Sequence, residues 1–301
     1  MADGIINVYK EKGFTSHDVV AKMRGILKQK KIGHTGTLDP MAEGVLPVCL
    51  GKATKLCDML TDKTKTYEAV LLLGMVTDTQ DTTGTVLNTC PLEAGEEEVK
   101  AAVLSFLGHY DQVPPMYSAL KVDGKKLYEL ARAGKEIERK ARPVEIYDIR
   151  IEQMELPRVT ITVSCSKGTY IRTLCHDIGE KLRCGGCMES LLRTRVSDFY
   201  VKDSLTLSRI EQLRDEGNLG EYILAVDKMF SSYPQLVMKE EFDKLVHNGN
   251  RFMQNQAVGE YTMSDGPVRV YDSSMEFIGI YEPNSERNLL KPQKVFLGGS
   301  R

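Results

Sequence analysis

Residues 33–48 read GHTGTLDPMAEGVLPV, and no other stretch restricts the fold as much. Three glycines within twelve residues, Gly33, Gly36 and Gly44, surround one Asp-Pro pair and lead into an apolar run. Such glycine density suits a loop whose backbone must approach something closely. The apolar run that follows can anchor this loop to a sheet. Pro40 biases Asp39 toward an extended conformation, which holds the carboxylate in a defined direction. Read by itself the segment has a simpler account, because Asp-Pro commonly begins a turn and a loop aspartate is usually a cap.

Elsewhere, segments of period two and period 3.6 alternate without the regular strand and helix succession of a parallel doubly wound sheet. Residues 45–50, 67–74 and 159–165 are predicted strands, and residues 16–28 and 97–107 predicted helices. A side-chain oxygen of Thr15 or Ser16 can cap the first helix. The expected fold class is therefore α/β of the α+β type. At 301 residues the chain exceeds one ordinary core, so a large domain over 1–232 and a small one over 233–301 are expected. Residues 113–143 read as a basic, helical excursion from the main sheet, entered through Pro114-Pro115 and left near Pro143. Beyond Pro234 come short strands with turn chemistry at Gly266-Pro267 and Asp272-Ser273, which makes the small domain β-rich.

Apolar residues make up 42% of the chain and charged residues 27%, a balance that excludes a disordered protein. The N-terminus lacks a basic segment followed by an apolar one, and no stretch approaches ~18 consecutive apolar residues. The expected location is the cytoplasm, with no membrane contact. Seven cysteines, an odd number, fit reduced thiols better than a disulfide framework. Cys184 and Cys187 form a lone C-x-x-C without the second pair that a zinc site requires, so no metal is expected. A net charge of −2 argues on its face against a nucleic-acid partner. The distribution qualifies that argument. Lys and Arg gather at 22–31 and 52–65, on either side of the Asp-Pro loop, and again from Lys121 to Arg142, while Glu93 and Glu96 to Glu98 lie apart. Charge runs of this kind are also ordinary solvated faces of helices.

The loop segment resembles the catalytic motif of the TruB family of tRNA pseudouridine synthases, in its bacterial form. Further matches stand in the expected order: TSHDVV, KTKTYEAVLLLG, GMVTDTQDTTGTV, VPPMYSALKVDGKKLYELAR, CSKGTYIRTLCHDIGEKL and LLRTRVSDF. Together they span most of residues 1–200. Two departures are visible: YKEKGFTS takes the place of a usual Asp-Lys-Pro, and Leu192 stands where the first arginine of a pair is common. The resemblance implies the pseudouridine synthase fold, a mixed and largely antiparallel sheet with flanking helices and a central cleft, followed by a PUA-like C-terminal domain. It implies isomerisation of the uridine at position 55 in the T-loop of tRNA, with no cofactor.

By the same resemblance Asp39 is the catalytic carboxylate, beside C1′ and C6 of the target nucleotide. Three routes are compatible with it: attack on the sugar, attack on the base, or removal of a sugar proton to give a glycal. Arg172, in GTYIRT, resembles the arginine that pairs with this carboxylate, and such a cation keeps an aspartate ionised in a dry pocket. Without the motif it reads as a surface arginine. Tyr67 resembles the tyrosine that stacks on the uracil and serves in removing the C5 proton, where the plain reading is a core residue on a strand face. Tyr170 and Leu191 resemble pocket-lining residues. His34 resembles the histidine that fills the gap left by a flipped nucleotide; the plain reading is an exposed loop histidine. Asp81 reads either as an RNA contact or as a turn residue. The excursion containing Lys121 resembles the insertion that grips the tRNA T-arm, and the implied state is a monomer that requires no protein partner.

Two other functions stay open on the sequence: a guide-RNA-dependent synthase resembling dyskerin, and a tRNA-folding chaperone that binds the T-arm without chemistry. GHTGTLDPMAEG and the lack of a long basic tail favour the stand-alone form over the first. The joint presence of Asp39, Tyr67 and Arg172 disfavours the second.

Overall fold

The computed structural model describes residues 2–61, 63–122, 124–284 and 288–297. Its main sheet begins with β1 (Gly4–Lys10), β2 (Ile32–His34), β3 (Glu43–Leu50) and β4 (Lys65–Leu73), with helices α1 (Ser16–Leu27) and α2 (Cys57–Thr61) between them. A separate hairpin, β5 (Met75–Thr77) and β6 (Val86–Thr89), and helix α3 (Glu96–Leu104) precede β7 (Gly108–Gln112). Among its described residues the excursion carries β8 (Lys121–Val122), β9 (Lys125–Lys126) and helix α4 (Leu127–Arg132). β10 (Arg142–Glu155), β11 (Arg158–Cys165), helix α5 (Ile171–Lys181), β12 (Gly186–Val196), β13 (Phe199–Tyr200) and helix α6 (Leu207–Asp215) follow. The order across the sheet is β1-β3-β12-β4-β11-β10-β7, and within it only the β12 and β3 pair is parallel.

Alternation along the strands dictates the layers. In β4 the residues Tyr67, Ala69, Leu71 and Leu73 share one face with Val159, Ile161 and Val163 of β11, and this face packs on α3 and α5. At the other end of the sheet Ile6, Val8, Leu46 and Val48 pack on α1 and α6. Each such side chain contributes about 1.5–3 kcal/mol on leaving water. Thr15 caps α1: its Oγ1 accepts from Asp18 N–H at 3.0 Å, and Asp18 Oδ2 accepts from Thr15 N–H at 2.8 Å.

Two expectations need correction. The helix expected over 97–107 ends at Leu104, because the chain must turn through Gly108, at φ +91°, into β7. The excursion is mostly irregular rather than helical; among its described residues the only helix is the six of α4.

The C-terminal β-rich domain contains β14 (Gln235–Met238), helix α7 (Asp243–His247), β15 (Phe252–Met253), β16 (Ala257–Val258), β17 (Val268–Tyr271), β18 (Phe277–Asn284) and β19 (Leu289–Val295). It is docked through a shared core, in which Phe230 meets Phe277 and Phe296 beneath Ile5 and Val45. Lys52 pairs with Glu276 at 2.9 Å, and Lys55 Nζ donates to the Val295 carbonyl at 2.7 Å, across the same junction. No helix among the described residues is long and apolar enough to cross a membrane.

Candidate active site

The loop between β2 and β3 carries Asp39, and side chains from neighbouring elements hold it from behind. Ser16 Oγ, at the start of α1, accepts from Leu38 N–H at 2.9 Å. Thr61 Oγ1, at the end of α2, donates to the Thr35 carbonyl at 3.0 Å. Lys10 Nζ, at the end of β1, donates to the carbonyls of Glu11 and Pro40 at 3.1 Å and of Ala42 at 2.5 Å. Lys10 is buried, which pushes its pKa down to about 8 against the opposing pull of Asp39 and Glu43.

Arg172 stands opposite. From the first turn of α5 its Nε donates to Asp39 Oδ2 at 2.8 Å and its Nη2 to Asp39 Oδ1 at 3.2 Å, a two-point pairing. The remaining donors reach the Thr79 carbonyl beside the β5–β6 hairpin and the Tyr117 carbonyl in the excursion, both at 2.8 Å. One guanidinium thus joins the Asp39 loop to two other segments. Its side chain is 5% exposed while that of Asp39 is 39% exposed, so the carboxylate opens to the cleft and the cation lies beneath it.

Tyr67 and Leu191 form a buried floor beneath the loop together with Leu38, Ala42 and Ala69. Burial pushes the Tyr67 hydroxyl up to about 12, while the neighbouring Arg193 acts in the opposite sense. Tyr170 N–H donates to Gln112 Oε1 at 2.7 Å and its carbonyl accepts from Gln112 Nε2 at 3.0 Å, which fixes the chain just before α5. Burial also raises the Tyr170 pKa.

The profile of the TruB family pseudouridylate synthase N-terminal domain matches residues 24–171, and that of the tRNA pseudouridylate synthase B C-terminal domain matches 172–231. A tRNA pseudouridine synthase B of Lachnoclostridium phytofermentans is 56% identical over 98% of this chain and the whole of that protein; one of Clostridium novyi is 45% identical over the same shares. The chain belongs to the TruB family. Among solved structures, a Cbf5-Nop10-Gar1 complex is similar with TM-score 0.72 and 27% identity, over 98% of this chain and 85% of that one. An H/ACA RNP bound to a substrate RNA containing 2′-deoxyuridine has TM-score 0.71 and 25% identity, over 99% and 86%. Fold class and membership of an isomerase family thus agree with the expectation from the motifs.

Around this TruB pocket the other expected residues take different places. His34 is half-buried at the end of β2; its Nδ1 accepts from Gly36 N–H at 3.2 Å, and its ring meets His17 edge-on at 5.4 Å. Burial and the nearby His17 and Arg193 push its pKa down to about 4, so it is neutral at physiological pH. Asp81 is a turn residue: Oδ1 accepts from Thr79 Oγ1 at 2.8 Å and Thr83 N–H at 3.0 Å, and Oδ2 faces Arg172 Nε at 3.8 Å. Lys121 is exposed on β8.

Lys10 and Arg193 were not expected in the site. Arg193 is 1% exposed, and its Nε and Nη2 donate to the carbonyls of Val45 at 2.7 Å and Gly36 at 3.2 Å. Gly44 is required beside it, at φ +104°, since a Cβ there would lie 2.3 Å from the Arg193 carbonyl oxygen. The basic clusters also divide. Lys65 is buried and donates to the carbonyls of Thr61 and Lys63, and Arg139 reaches the Pro114 carbonyl at 3.2 Å, so both serve the fold. All seven cysteines are free, with Cys184 and Cys187 buried.

Proposed function

We propose that this chain isomerises uridine 55 in the T-loop of tRNA to pseudouridine. The observation that carries the reading is the two-point pairing of Asp39 with buried Arg172 above a floor of Tyr67 and Leu191. The cation holds the carboxylate in a fixed orientation, aimed into the cleft, where a flipped uridine presents C1′ and C6. Asp39 acts at that junction, the glycosidic bond breaks, the uracil turns on the Tyr67 ring, and C5 joins C1′. Tyr67 then takes part in removal of the C5 proton. Leu191 and Tyr170 line the base pocket. Neutral His34 fills the gap left in the RNA stack, and Asp81 steadies Arg172 beside the RNA.

Residues 1–232 form the catalytic domain, the excursion with Lys121 grips the T-arm, and residues 233–301 form a PUA-like RNA-binding domain. The names of the relatives support tRNA as the substrate. As an isomerisation the reaction consumes no cofactor, and the chain acts as a cytoplasmic monomer. The likeness to a Cbf5 complex and to an H/ACA particle favours a second reading, dependence on a guide RNA. Release of tritium from a [5-³H]uridine T-arm transcript by the purified chain, without guide RNA, tests both. Turnover supports the stand-alone enzyme; release only when guide RNA is added supports the second reading; binding without release leaves the chaperone.

A further inference from the structure

Arg193 occupies the centre of the main sheet, where β12 touches β3 on one side and β4 on the other. In the β12 and β4 register its Cα stands opposite that of Tyr67, so the two side chains share the face that floors the pocket. Its partners are the Val45 and Gly36 carbonyls and the Tyr67 hydroxyl. Among the described residues none of these partners is a carboxylate.

A guanidinium taken out of water without a carboxylate is a costly arrangement. Two peptide carbonyls and a phenol offer only dipoles, and what this charge lacks is a full negative counterpart. A phenolate on Tyr67 supplies that counterpart when it forms, and Arg193 opposes the burial that disfavours it. We infer that Arg193 is a positioning residue whose buried charge stabilises the Tyr67 phenolate and so enables Tyr67 to accept the C5 proton that ends the isomerisation. This rests on the function proposed above. In the step, the C5–H bond breaks and its proton passes to the phenolate oxygen. The electron pair left behind forms C5=C6, and the C6=N1 pair moves to N1, which takes a proton from solvent. Tyr67 returns its proton to solvent before the next turnover. Arginine suits the task because it stays protonated where a buried lysine readily loses its proton.

Arg193 also ties Gly36 to Val45, so loss of rate alone does not separate charge stabilisation from support of the loop. The separating measurement is the deuterium isotope effect with T-arm RNA carrying [5-²H]uridine, under single-turnover conditions. For Arg193→Gln the expected results are a rate lowered by about 10²–10⁴-fold, tRNA affinity near that of the unaltered protein, and an isotope effect larger than its own. Arg193→Lys, a cation there only in the fraction that stays protonated, lies between the two. A lowered rate with an unaltered isotope effect, or no loss of rate, overturns the inference. Where thermal melts show that Arg193→Gln does not fold, Arg193→Lys decides by the same criteria. Absence of turnover in the unaltered protein removes the proposed function, and this inference with it.

Discussion

The floor of the cleft and the excursion at 113–142 handle positive charge in opposite ways. In the floor, Arg172 and Arg193 are buried, and each joins separate segments of chain by hydrogen bonds at 2.7–3.2 Å. In the excursion, Lys121, Lys125, Arg132, Lys135 and Lys140 are exposed, and the Tyr128 ring lies under Lys126 and Arg132 at 5.3 and 5.5 Å. Buried charge fixes a few atoms to within tenths of an ångström, which bond-making requires. Exposed charge keeps its water and its freedom, at little cost to stability, and can follow a phosphate backbone. Substitutions in the floor should therefore strike the chemical step, and those in the excursion the binding of RNA.

The largest effect is expected at Asp39. Asp39→Asn keeps the shape of the loop but removes the carboxylate that is proposed to react, so turnover should fall by at least about 10⁴-fold, the upper end for a positioned acid or base. Filter binding of tRNA should stay within a few-fold, since phosphate contacts carry most of the affinity. Easily measured turnover would break the comparison at its strongest point. Next comes Tyr67. Tyr67→Phe retains the ring and should bind normally while product formation falls about 10²–10⁴-fold; Tyr67→Ala should lose both. Similar, near-normal rates for the two variants would make Tyr67 a packing residue.

How much of this was legible in the sequence follows the same division. Strands β3, β4 and β11 were foreseen to within two residues, β4 and β11 because apolar alternation announces a half-buried strand and β3 because a short continuous apolar run announces a buried one. The fourteen residues of β10 were not, since charged residues at Arg142, Glu145, Asp148 and Arg150 hide an exposed strand at one side of the sheet. Asp39, Tyr67 and Arg172 were singled out through long motifs, and the fold brings Asp39 and Arg172 into contact. Lys10 and Arg193 were missed because isolated cations are read as surface residues. A signal did exist: Lys10 falls in phase with Ile6 and Val8, and Arg193 in phase with Leu191, on the buried side of alternating strands. Insertion of β12 between β3 and β4 joins residues far apart in sequence, and no local pattern encodes it.

Lys10 offers a smaller, pH-dependent test of the floor. Its pKa in the folded chain is about 8, below the ordinary 10.5. Between those values the unfolded chain holds the proton that the folded chain has shed, so this group's contribution to stability rises with pH. Function runs the other way, because deprotonation removes a donor from the carbonyls that hold Asp39's loop. Single-turnover rates should fall above pH 8, roughly tenfold per pH unit once the limb is established, without a matching loss of melting temperature from Lys10. Lys10→Arg, which keeps its proton, should be slower at pH 7 but flat through this range. An alkaline limb unchanged in Lys10→Arg would assign it to another group.

The smallest effect on chemistry, and the one that defines the other side of the comparison, is expected in the excursion. Arg139 is unsuitable for the test because its bonds to the Pro114 carbonyl and to Glu136 hold the segment together. Lys121, Lys125, Lys135 and Lys140 are exposed, so replacing all of them with Glu alters charge with little change in packing. Each phosphate neutralised on a duplex contributes about −0.9 to the slope of log affinity against log salt. The fourfold variant should bind tRNA more weakly at low salt and show a shallower slope, while its rate at saturating tRNA stays within a few-fold of the unaltered protein. Glu96→Lys with Glu97→Lys serves as the control, on an exposed face where Glu98, which accepts from Gly95 N–H at 3.0 Å, must be left in place. That pair should not weaken binding. A fourfold variant with an unaltered salt slope would move the T-arm off this surface, and one with normal binding but a slow chemical step would dissolve the division of labour between buried and exposed charge.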